Sequence, residues 1–499
     1  MPNLFAYVVL FSFPFLVVYL FRRLPLRLAL IWVIFGGYMA LPDRAGFNLR
    51  AIPDVDKDLL PSVMAFAMCA IAAMEARRRI RLSRAGGMTQ VDIRAKSDSG
   101  FVSARTRPAV ERDAGASDVK TRRSPWITAL FYVCLLGPIL TMVTNREPLF
   151  YSSTMLRALS PQDAWGTVQS TLVMLLPFVL GRKYLTTADS HMMILRVMCQ
   201  MALVMSLAIL VEVRLSPQLN VWIYGFQGSS FSQHIRAGGF RPMLFLQHGL
   251  WVGVIIAMSV IAALTLYRSS TGRARWMWLA VSVWLFITLV LSKTIGALAL
   301  CILMATVVLF VPKRGKLVVA AVLAGAVAIY PTLRSAGVVP VMQVYELAAS
   351  FSSERASSLL FRLVNEDQLL ARASEKPLTG WGGWDRAAIY DSLTGEKLSI
   401  ADGSWVIAIG TGGWVGYIGL FGLLCLPLVI LAIRRRDDMT NVTAGLLLML
   451  ALNIVDLIPN ATLTPITWLM AGAVAGFYEN GNRRAVPAAS RAALRIRGT

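Results

Sequence analysis

Long apolar stretches recur along almost the whole sequence and limit what this chain can fold into. About 20 apolar residues wound as a helix are enough to cross the hydrocarbon core of a bilayer. Backbone amides and carbonyls in lipid must pair within their own segment, so we expect each stretch to be α-helical. The sequence therefore predicts an all-α, polytopic transmembrane helix bundle of about 12–13 spans. The predicted spans are residues 5–20, 28–41, 59–76, 126–143, 165–180, 192–213, 243–267, 276–291, 295–311, 317–330, 405–433, 442–457 and 463–478.

The composition agrees with a membrane protein. Hydrophobic residues make up 56% of the chain and charged residues 15%, and the mean hydropathy is +0.62. Soluble domains have about a quarter of their residues charged. The first apolar stretch, 5–20, has no basic segment before it and no small-residue cleavage site after it. We therefore interpret it as the first span and not as a cleaved signal peptide.

The net charge is +22, and the basic residues that produce it are distributed as the predicted membrane topology requires. Basic residues concentrate in short turns that alternate with the predicted spans, for example at 22–27, 182–183 and 434–436. This is the positive-inside pattern, and it predicts an outer N-terminus and an inner C-terminus. It also argues against nucleic acid as a partner. All five cysteines lie in apolar stretches without CxxC spacing, which predicts buried thiols and neither a disulfide framework nor a metal site.

The sequence divides into six parts. We predict N-terminal spans at 1–76, a basic disordered cytoplasmic loop at 77–125 and a transmembrane core at 126–330. A large outer loop at 331–402, C-terminal spans at 403–480 and a basic cytoplasmic tail at 481–499 follow. The basic residues of the 77–125 loop either lie on anionic lipid head groups or only determine topology, and both interpretations remain open.

Two polar features precede the large loop on the predicted outer side. The segment 232–242 carries His234, Arg236 and Arg241 around a Gly-Gly pair, and forked arginine donors are suited to a phosphate. The alternative is that these arginines only extend along the membrane interface. Lys293 lies in a tight outer turn, against the positive-inside trend, so it is either a charge for a phosphate oxygen or another interfacial cation.

The large loop contains a predicted amphipathic helix, 352–374. Arg355 and Arg362 are seven residues apart and share a face, and Arg362 has Glu366 at i+4. Pro377 ends the helix, and a Gly-rich turn with Trp381 and Trp384 follows. Tryptophan faces suit sugars, although an interfacial tryptophan needs no ligand to explain it.

Asp402 lies at the start of the next predicted span. In the simpler interpretation it is the N-cap of that helix. In the functional interpretation it is a carboxylate at the membrane surface, in the same compartment as the arginines. The residues alone thus indicate an outer site with cations and one placed carboxylate, which suits an anionic lipid-linked substrate.

The order of these motifs over residues 180–424 resembles the O-antigen ligase and O-antigen polymerase superfamily of bacterial envelope glycan enzymes. Arg-Ala-Gly-Gly-Phe-Arg-Pro (236–242) enters a span, and Leu-Ser-Lys-Thr-Ile-Gly-Ala-Leu (291–298) is similar to the family's Ser-Arg turn. Lys-Pro-Leu-Thr-Gly-Trp-Gly (376–382) is similar to its Pro-x-x-Gly-x-Gly, and Ala-Asp-Gly-Ser-Trp (401–405) precedes a glycine-rich helix. Lys293 stands where the family has arginine, and Asp402 where it has histidine.

The resemblance implies a GT-C-like, inverting, metal-independent glycosyltransferase of the bacterial inner membrane with its site facing the periplasm. The donor would be a glycan on undecaprenyl pyrophosphate, and the acceptor a glycan, lipid or protein, in polysaccharide or O-antigen-type synthesis. No cofactor is expected. In this scheme Asp402 is the general base with His234 in reserve, Trp381 and Trp384 contact glycan, and the cations bind the pyrophosphate. These cations are Arg236, Arg241, Lys293, Arg355 and Arg362.

A rival prediction is a lipid-linked oligosaccharide flippase or polysaccharide exporter without chemistry. It needs cationic residues deep within the spans, whereas the candidate charges here cluster on the outer side. An assembly scaffold is a third possibility. Release of undecaprenyl pyrophosphate from a lipid-linked donor would distinguish the transferase from both.

Overall fold

The computed structural model describes residues 1–49, 52–85, 123–236, 238–351, 353–434 and 438–481. Most of the predicted loop at 77–125 and of the tail at 481–499 therefore lies outside the described residues. The described helices are α1 (Leu4–Arg23), α2 (Leu26–Ala40), α3 (Leu59–Ala85), α4 (Pro125–Val143), α5 (Pro161–Tyr184), α6 (Ala188–Leu215), α7 (Leu219–Tyr224), α8 (Gly249–Ser269), α9 (Gly272–Leu291), α10 (Ile295–Phe310), α11 (Lys313–Ser335), α12 (Val341–Phe351), α13 (Ser353–Ser374), α14 (Ser404–Ile433), α15 (Asn441–Asp456) and α16 (Pro465–Gly481).

Each predicted span coincides with a helix in the described part of the chain. Nine described helices are long and apolar enough to cross a membrane: α1, α3, α4, α5, α6, α8, α9, α11 and α14. Helices α2, α10 and α15 are apolar but shorter, and α16 has 17 residues. The protein is therefore a mostly helical, multi-pass membrane bundle, and the nine long helices of its described part are fewer than the 12–13 spans that the sequence predicts.

Close helix contacts fix the direction of the central helices. A β-carbon at Gly445, near the start of α15, would overlap the side chain of Thr265, near the end of α8. The two helices are therefore antiparallel. The Tyr417 hydroxyl of α14 donates to the Val327 carbonyl of α11 (2.7 Å), and Trp405 at the start of α14 packs on Tyr330 near the end of α11, so this pair is also antiparallel. Small residues allow such close approach, as is typical of helices packed in membranes.

Three short antiparallel hairpins, which the all-α prediction did not include, lie at one end of the bundle. They are β1–β2 (Phe47–Leu49 and Ile52–Val55), β3–β4 (Leu149–Tyr151 and Thr154–Leu156) and β5–β6 (Ile235–Arg236 and Gly239–Phe240). Helices α12 and α13 connect α11 to α14 at the same end, where Tyr330 and Trp405 pack edge to face at 5.1 Å. We call this the hairpin end.

Several predicted boundaries differ from the observed ones. Helix α3 continues to Ala85, nine residues beyond the predicted end at 76, and α11 continues through Pro331 to Ser335. The predicted amphipathic helix is confirmed as α13, whereas α12 before it was not predicted. Proline does not stop α11, because the packing of neighbouring membrane helices tolerates the missing hydrogen bond.

Candidate active site at the hairpin end

An ion pair joins two of the predicted site residues. Arg362 Nε lies 3.2 Å from Asp402 Oδ2, and each side chain is about one-third exposed (33% and 37%). Helix α13 supplies the arginine, and the chain just before α14 supplies the aspartate. Gly403, not Asp402, is the N-cap of α14, and it makes no side-chain capping bond. The capping interpretation of Asp402 is therefore wrong, and the carboxylate faces Arg362 instead.

Arg362 also connects α13 to the turn between α15 and α16. Its Nη1 atom donates to the Pro459 carbonyl at 3.4 Å, and it lies within electrostatic reach of Asp456. The buried Asp456 carboxylate accepts hydrogen bonds from Asn460 (2.9 Å) and Thr462 (2.6 Å). The arginine is thus shared among several oxygen atoms and is not a cation free for phosphate alone.

Glu366 lies one helical turn beyond Arg362, and the residue is only 8% exposed. Burial raises the pKa of this carboxyl to about 7, although the nearby Arg334 guanidinium favours the ionised form. Arg334 itself pairs with Asp367 (2.8 Å). The i,i+4 spacing predicts that Glu366 is the helical partner of Arg362, whereas the ion pair of Arg362 in the structure is with Asp402.

The β5–β6 hairpin brings a second set of predicted residues to the same end. The Arg241 amide donates to the His234 carbonyl (2.7 Å). The Lys293 ammonium lies directly against Gly239, where a β-carbon would overlap it. Lys293 has a φ of 56°, in the left-handed region that non-glycine residues seldom adopt. We call Arg241, Lys293 and this hairpin the hairpin cluster.

The hairpin cluster lies against α8 and the α9–α10 turn, whereas Arg362 lies against the α15–α16 turn. The Arg241 side chain packs on Gly249 at the start of α8. His234 is fully buried, and its Nε2 atom is 2.7 Å from the Ser229 hydroxyl, so it is not placed to meet a substrate. The side chains of Arg236 and Arg355 lie outside the described residues.

Helix α14 is interrupted at Gly413, and the Gly-rich turn fills the break. Gly413 has φ 60° and ψ −161°, a conformation almost restricted to glycine. We call residues 377–382 the docking segment. It satisfies the backbone groups that the break leaves free, which non-helical backbone at this depth requires. Four backbone hydrogen bonds join the docking segment to α14: Trp414 N to Pro377 O (2.8 Å), Val415 N to Leu378 O (3.1 Å), Trp381 N to Gly410 O (2.9 Å) and Gly382 N to Thr411 O (2.9 Å).

The two tryptophans that the sequence offered as glycan contacts differ in exposure. Trp381 is 6% exposed, its N–H donates to the Arg372 carbonyl (2.8 Å), and the cations of Arg372 and Lys376 lie 3.5 and 4.6 Å from its ring centre. It anchors the docking segment and is not placed to receive a sugar. Trp384 is 62% exposed, and its N–H donates to Asp163 Oδ1 (3.2 Å).

Arg386, which sequence reasoning missed, fixes this region from inside. It is fully buried, and it donates to the carbonyls of Trp381 (3.2 Å), Arg157 (2.7 Å) and Glu147 (3.0 Å). The Nη2 atom of Arg386 also lies 3.5 Å from Asn145 Oδ1. Since these acceptors are far apart in the chain, the sequence carries no signal that distinguishes Arg386 from a surface arginine.

Two adjoining cavities open beside Trp384. The first, of about 340 Å³, lies between α4, α5 and α14, and its walls are mostly apolar. The second, of about 620 Å³, lies between α13 and the start of α14, and its polar wall includes Asp385, Lys397 and Ser399. We call them the groove and the vestibule. They share Gly382, Gly383, Trp384 and Thr411, so an apolar and a more polar cavity meet at these residues.

The charges around this mouth are paired. Arg157 pairs with Asp163 (2.6 Å) and lies over the Trp384 ring (4.7 Å), while Lys397 pairs with Asp385 (2.7 Å). An uncharged, hydroxyl-rich ligand suits such a mouth better than an anion does. Within the described residues, no group of three or more His, Cys, Asp or Glu side chains is arranged for a metal ion.

Comparison of the sequence with protein-family models and with curated proteins returned no match.

Proposed function

We propose that this protein is a membrane glycosyltransferase that moves a glycan from undecaprenyl pyrophosphate to an acceptor hydroxyl. The observation that carries this proposal is the vestibule, which shares part of its wall with the apolar groove and is also lined by Ala401, the residue before Asp402 of the Arg362–Asp402 pair. A lipid-linked glycan needs an apolar surface for its chain, an uncharged polar surface for its sugars and cations for its phosphates. The hairpin end offers all three.

The cations have a specific task in such a reaction. Departure of the pyrophosphate places negative charge on its oxygens, and preorganised donors that meet this charge lower the barrier. The candidate donors whose side chains the structure describes are Lys293 and Arg241 of the hairpin cluster, together with Arg362. Arg236 and Arg355 complete this set in the proposal. The exposed ring of Trp384 stacks on a sugar of the glycan.

The substrates set the expected location. A glycan carried on undecaprenyl pyrophosphate is presented at the periplasmic face of the bacterial inner membrane, so the hairpin end would face the periplasm. The acceptor is a glycan, lipid or protein hydroxyl, as in a polysaccharide polymerase or an O-antigen-type ligase. Direct attack on the anomeric carbon inverts its configuration and requires no cofactor or metal.

The test uses the purified full-length protein with a lipid-linked glycan donor, and it measures released undecaprenyl pyrophosphate together with the glycan product. Loss of the Arg362 partner in Asp402→Asn is expected to reduce product formation at least tenfold. Asp391→Asn is the matched control, because Asp391 accepts amide hydrogen bonds from Leu393 and Thr394 that asparagine also accepts. An unchanged rate in Asp402→Asn would remove Asp402 from the reaction.

One observation favours an exporter of lipid-linked glycans instead. Interrupted helices such as α14 form substrate sites in transporters. An exporter would move a fluorescent lipid-linked glycan across proteoliposome membranes without releasing undecaprenyl pyrophosphate. Movement without release would therefore replace the transferase proposal.

A further inference from the structure

The end of the bundle opposite the hairpin end contains a buried lysine, Lys316. It lies in the first turn of α11, and Tyr330 of the same helix lies at the hairpin end. At 1.5 Å per residue, the two residues are about 21 Å apart along the helix axis. Lys316 is only 2% exposed. Within the described contacts, its ammonium group forms no hydrogen bond and no ion pair.

The start of α11 is an unfavourable place for cations. Its N-cap, Pro312, makes no side-chain capping bond, and its first turn has no acidic residue. Lys313 and Arg314, which are exposed, lie in the same turn as Lys316. Because the N-terminus of a helix carries a partial positive charge, it repels cations and stabilises an anion. The start of α11 is therefore electrostatically complementary to a negatively charged group.

A neighbouring helix adds another cation at this place. Arg268 lies in the last turn of α8, is exposed, and is within electrostatic reach of Lys316. Among the described residues, no carboxylate pairs with Arg268 or with Lys313. The β-carbon of a helical residue is tilted towards the helix N-terminus, so the Lys316 side chain is directed to the end of the bundle where these cations lie.

Membrane topology alone explains exposed cations at this end, but it does not explain a buried one. Cations that determine topology need only lie in water, as Lys313 and Arg314 do. Burying an ammonium group without an anion is costly. The Lys316 nitrogen is nevertheless not one of the fully enclosed, unpartnered polar atoms of the described chain. A ligand at the surface can therefore contact it.

We propose that Arg268, Lys316 and the start of α11 form a binding site for a phosphate group. Phosphate oxygens accept hydrogen bonds from the free amides of a helix N-terminus and from lysine and arginine side chains. A phospholipid head group carries such a phosphate in the leaflet at this end, and inorganic phosphate carries the same oxygens in solution. The site lies at the other end of the bundle from the groove and the vestibule, and it does not depend on the proposed glycosyl transfer.

The experiment measures binding to the purified full-length protein in a neutral detergent. Native mass spectrometry gives the Kd of phosphatidylglycerol, and isothermal titration calorimetry gives that of inorganic phosphate. Lys316→Gln should raise the Kd at least about tenfold, because a hydrogen bond to a charged group contributes about this factor. Lys316→Arg keeps the charge and should stay within about threefold of the wild type.

The matched control is Arg273→Gln. Arg273 lies in the first turn of α9 at the same end of the bundle, and that turn also has no acidic residue, but Arg273 is exposed. Its substitution should change the Kd by less than about twofold, because an exposed charge contributes little.

The outcomes identify the source of the phosphate. Binding of phosphatidylglycerol alone assigns the site to a lipid head group, binding of inorganic phosphate alone assigns it to a soluble anion, and binding of both shows that the phosphate group suffices. If neither probe binds, or if wild type and Lys316→Gln bind equally, the proposal is overturned.

Lys316→Met serves if Lys316→Gln does not fold, because methionine is similar in length and uncharged. Removing an unpaired buried charge should leave the stability of the lipid-free protein unchanged or higher in an SDS titration, while the phosphate affinity is lost. A clear loss of stability in Lys316→Met would show that the lysine serves the fold and not an anion.

Discussion

The break in α14 gives a stability prediction that depends only on the fold. In Gly413→Ala, the new β-carbon would overlap the Leu378 carbonyl and the Thr379 amide. Alanine at this φ and ψ costs about 1–3 kcal/mol in backbone strain. Displacing the docking segment also weakens four backbone hydrogen bonds, each worth about 0.5–1.5 kcal/mol net. Because these costs overlap, we expect a loss of about 3–5 kcal/mol in the free energy of unfolding.

The measurement is unfolding by SDS titration in mixed micelles, followed by tryptophan fluorescence. Hydrogen exchange of the 381–382 and 414–415 amides gives a local readout, because these amides hold the docking segment in place. The matched control is Gly412→Ala. Gly412 precedes Gly413 in the chain and does not have a positive φ. A β-carbon added at Gly412 would have no other atom within 4 Å. Alanine there should leave stability unchanged or raise it by up to about 1 kcal/mol.

Equal stability of the two variants would refute this reasoning. The same conclusion follows if Gly413→Ala unfolds like the wild type and its 381–382 amides exchange no faster. Either result would mean that the docking segment is not held by the break in α14.

Three further substitutions test other parts of the hairpin end. Arg386→Lys should cost at least about 3 kcal/mol, measured by the same SDS titration, since lysine cannot serve its separate carbonyl acceptors; a cost below about 1 kcal/mol would contradict this. Trp384→Ala should raise KM for the glycan donor about fivefold with kcat nearly constant, whereas the exposed Trp126 changed to alanine should have no effect on KM. Lys293→Gln should weaken binding of the lipid-linked donor about tenfold in a direct binding assay, and an unchanged Kd would exclude Lys293 from the phosphate site.

Much of the fold follows from local properties of the sequence. Apolar stretches of bilayer length become helices because lipid leaves the backbone no other partner, and this holds for every predicted span in the described chain. The amphipathic α13 follows from its periodicity, because residues three and four apart share a helix face. The predicted ends of α3 and α11 were wrong, because neither charged residues nor a proline ends a helix that packs against its neighbours.

Local properties of the sequence predicted only part of the candidate site. The pairing of Arg362 with Asp402 joins residues forty positions apart, so composition suggested the residues but not the contact. The burial of Glu366 could have been predicted from its position in the helix. It falls on the same helix face as Leu359, Leu363 and Leu370, which predicts a buried carboxylate.

The sequence by itself determined that this chain is a multi-pass helical membrane protein with a polar connection between α11 and α14, because bilayer length and helical periodicity are local properties. Only the tertiary structure decided that the docking segment repairs a broken helix, that Trp381 is covered while Trp384 is exposed, and that Arg362 pairs with Asp402 and donates to the Pro459 carbonyl. Those features depend on which distant groups meet, since burial and pairing are set by packing across the bundle and not by neighbours along the chain.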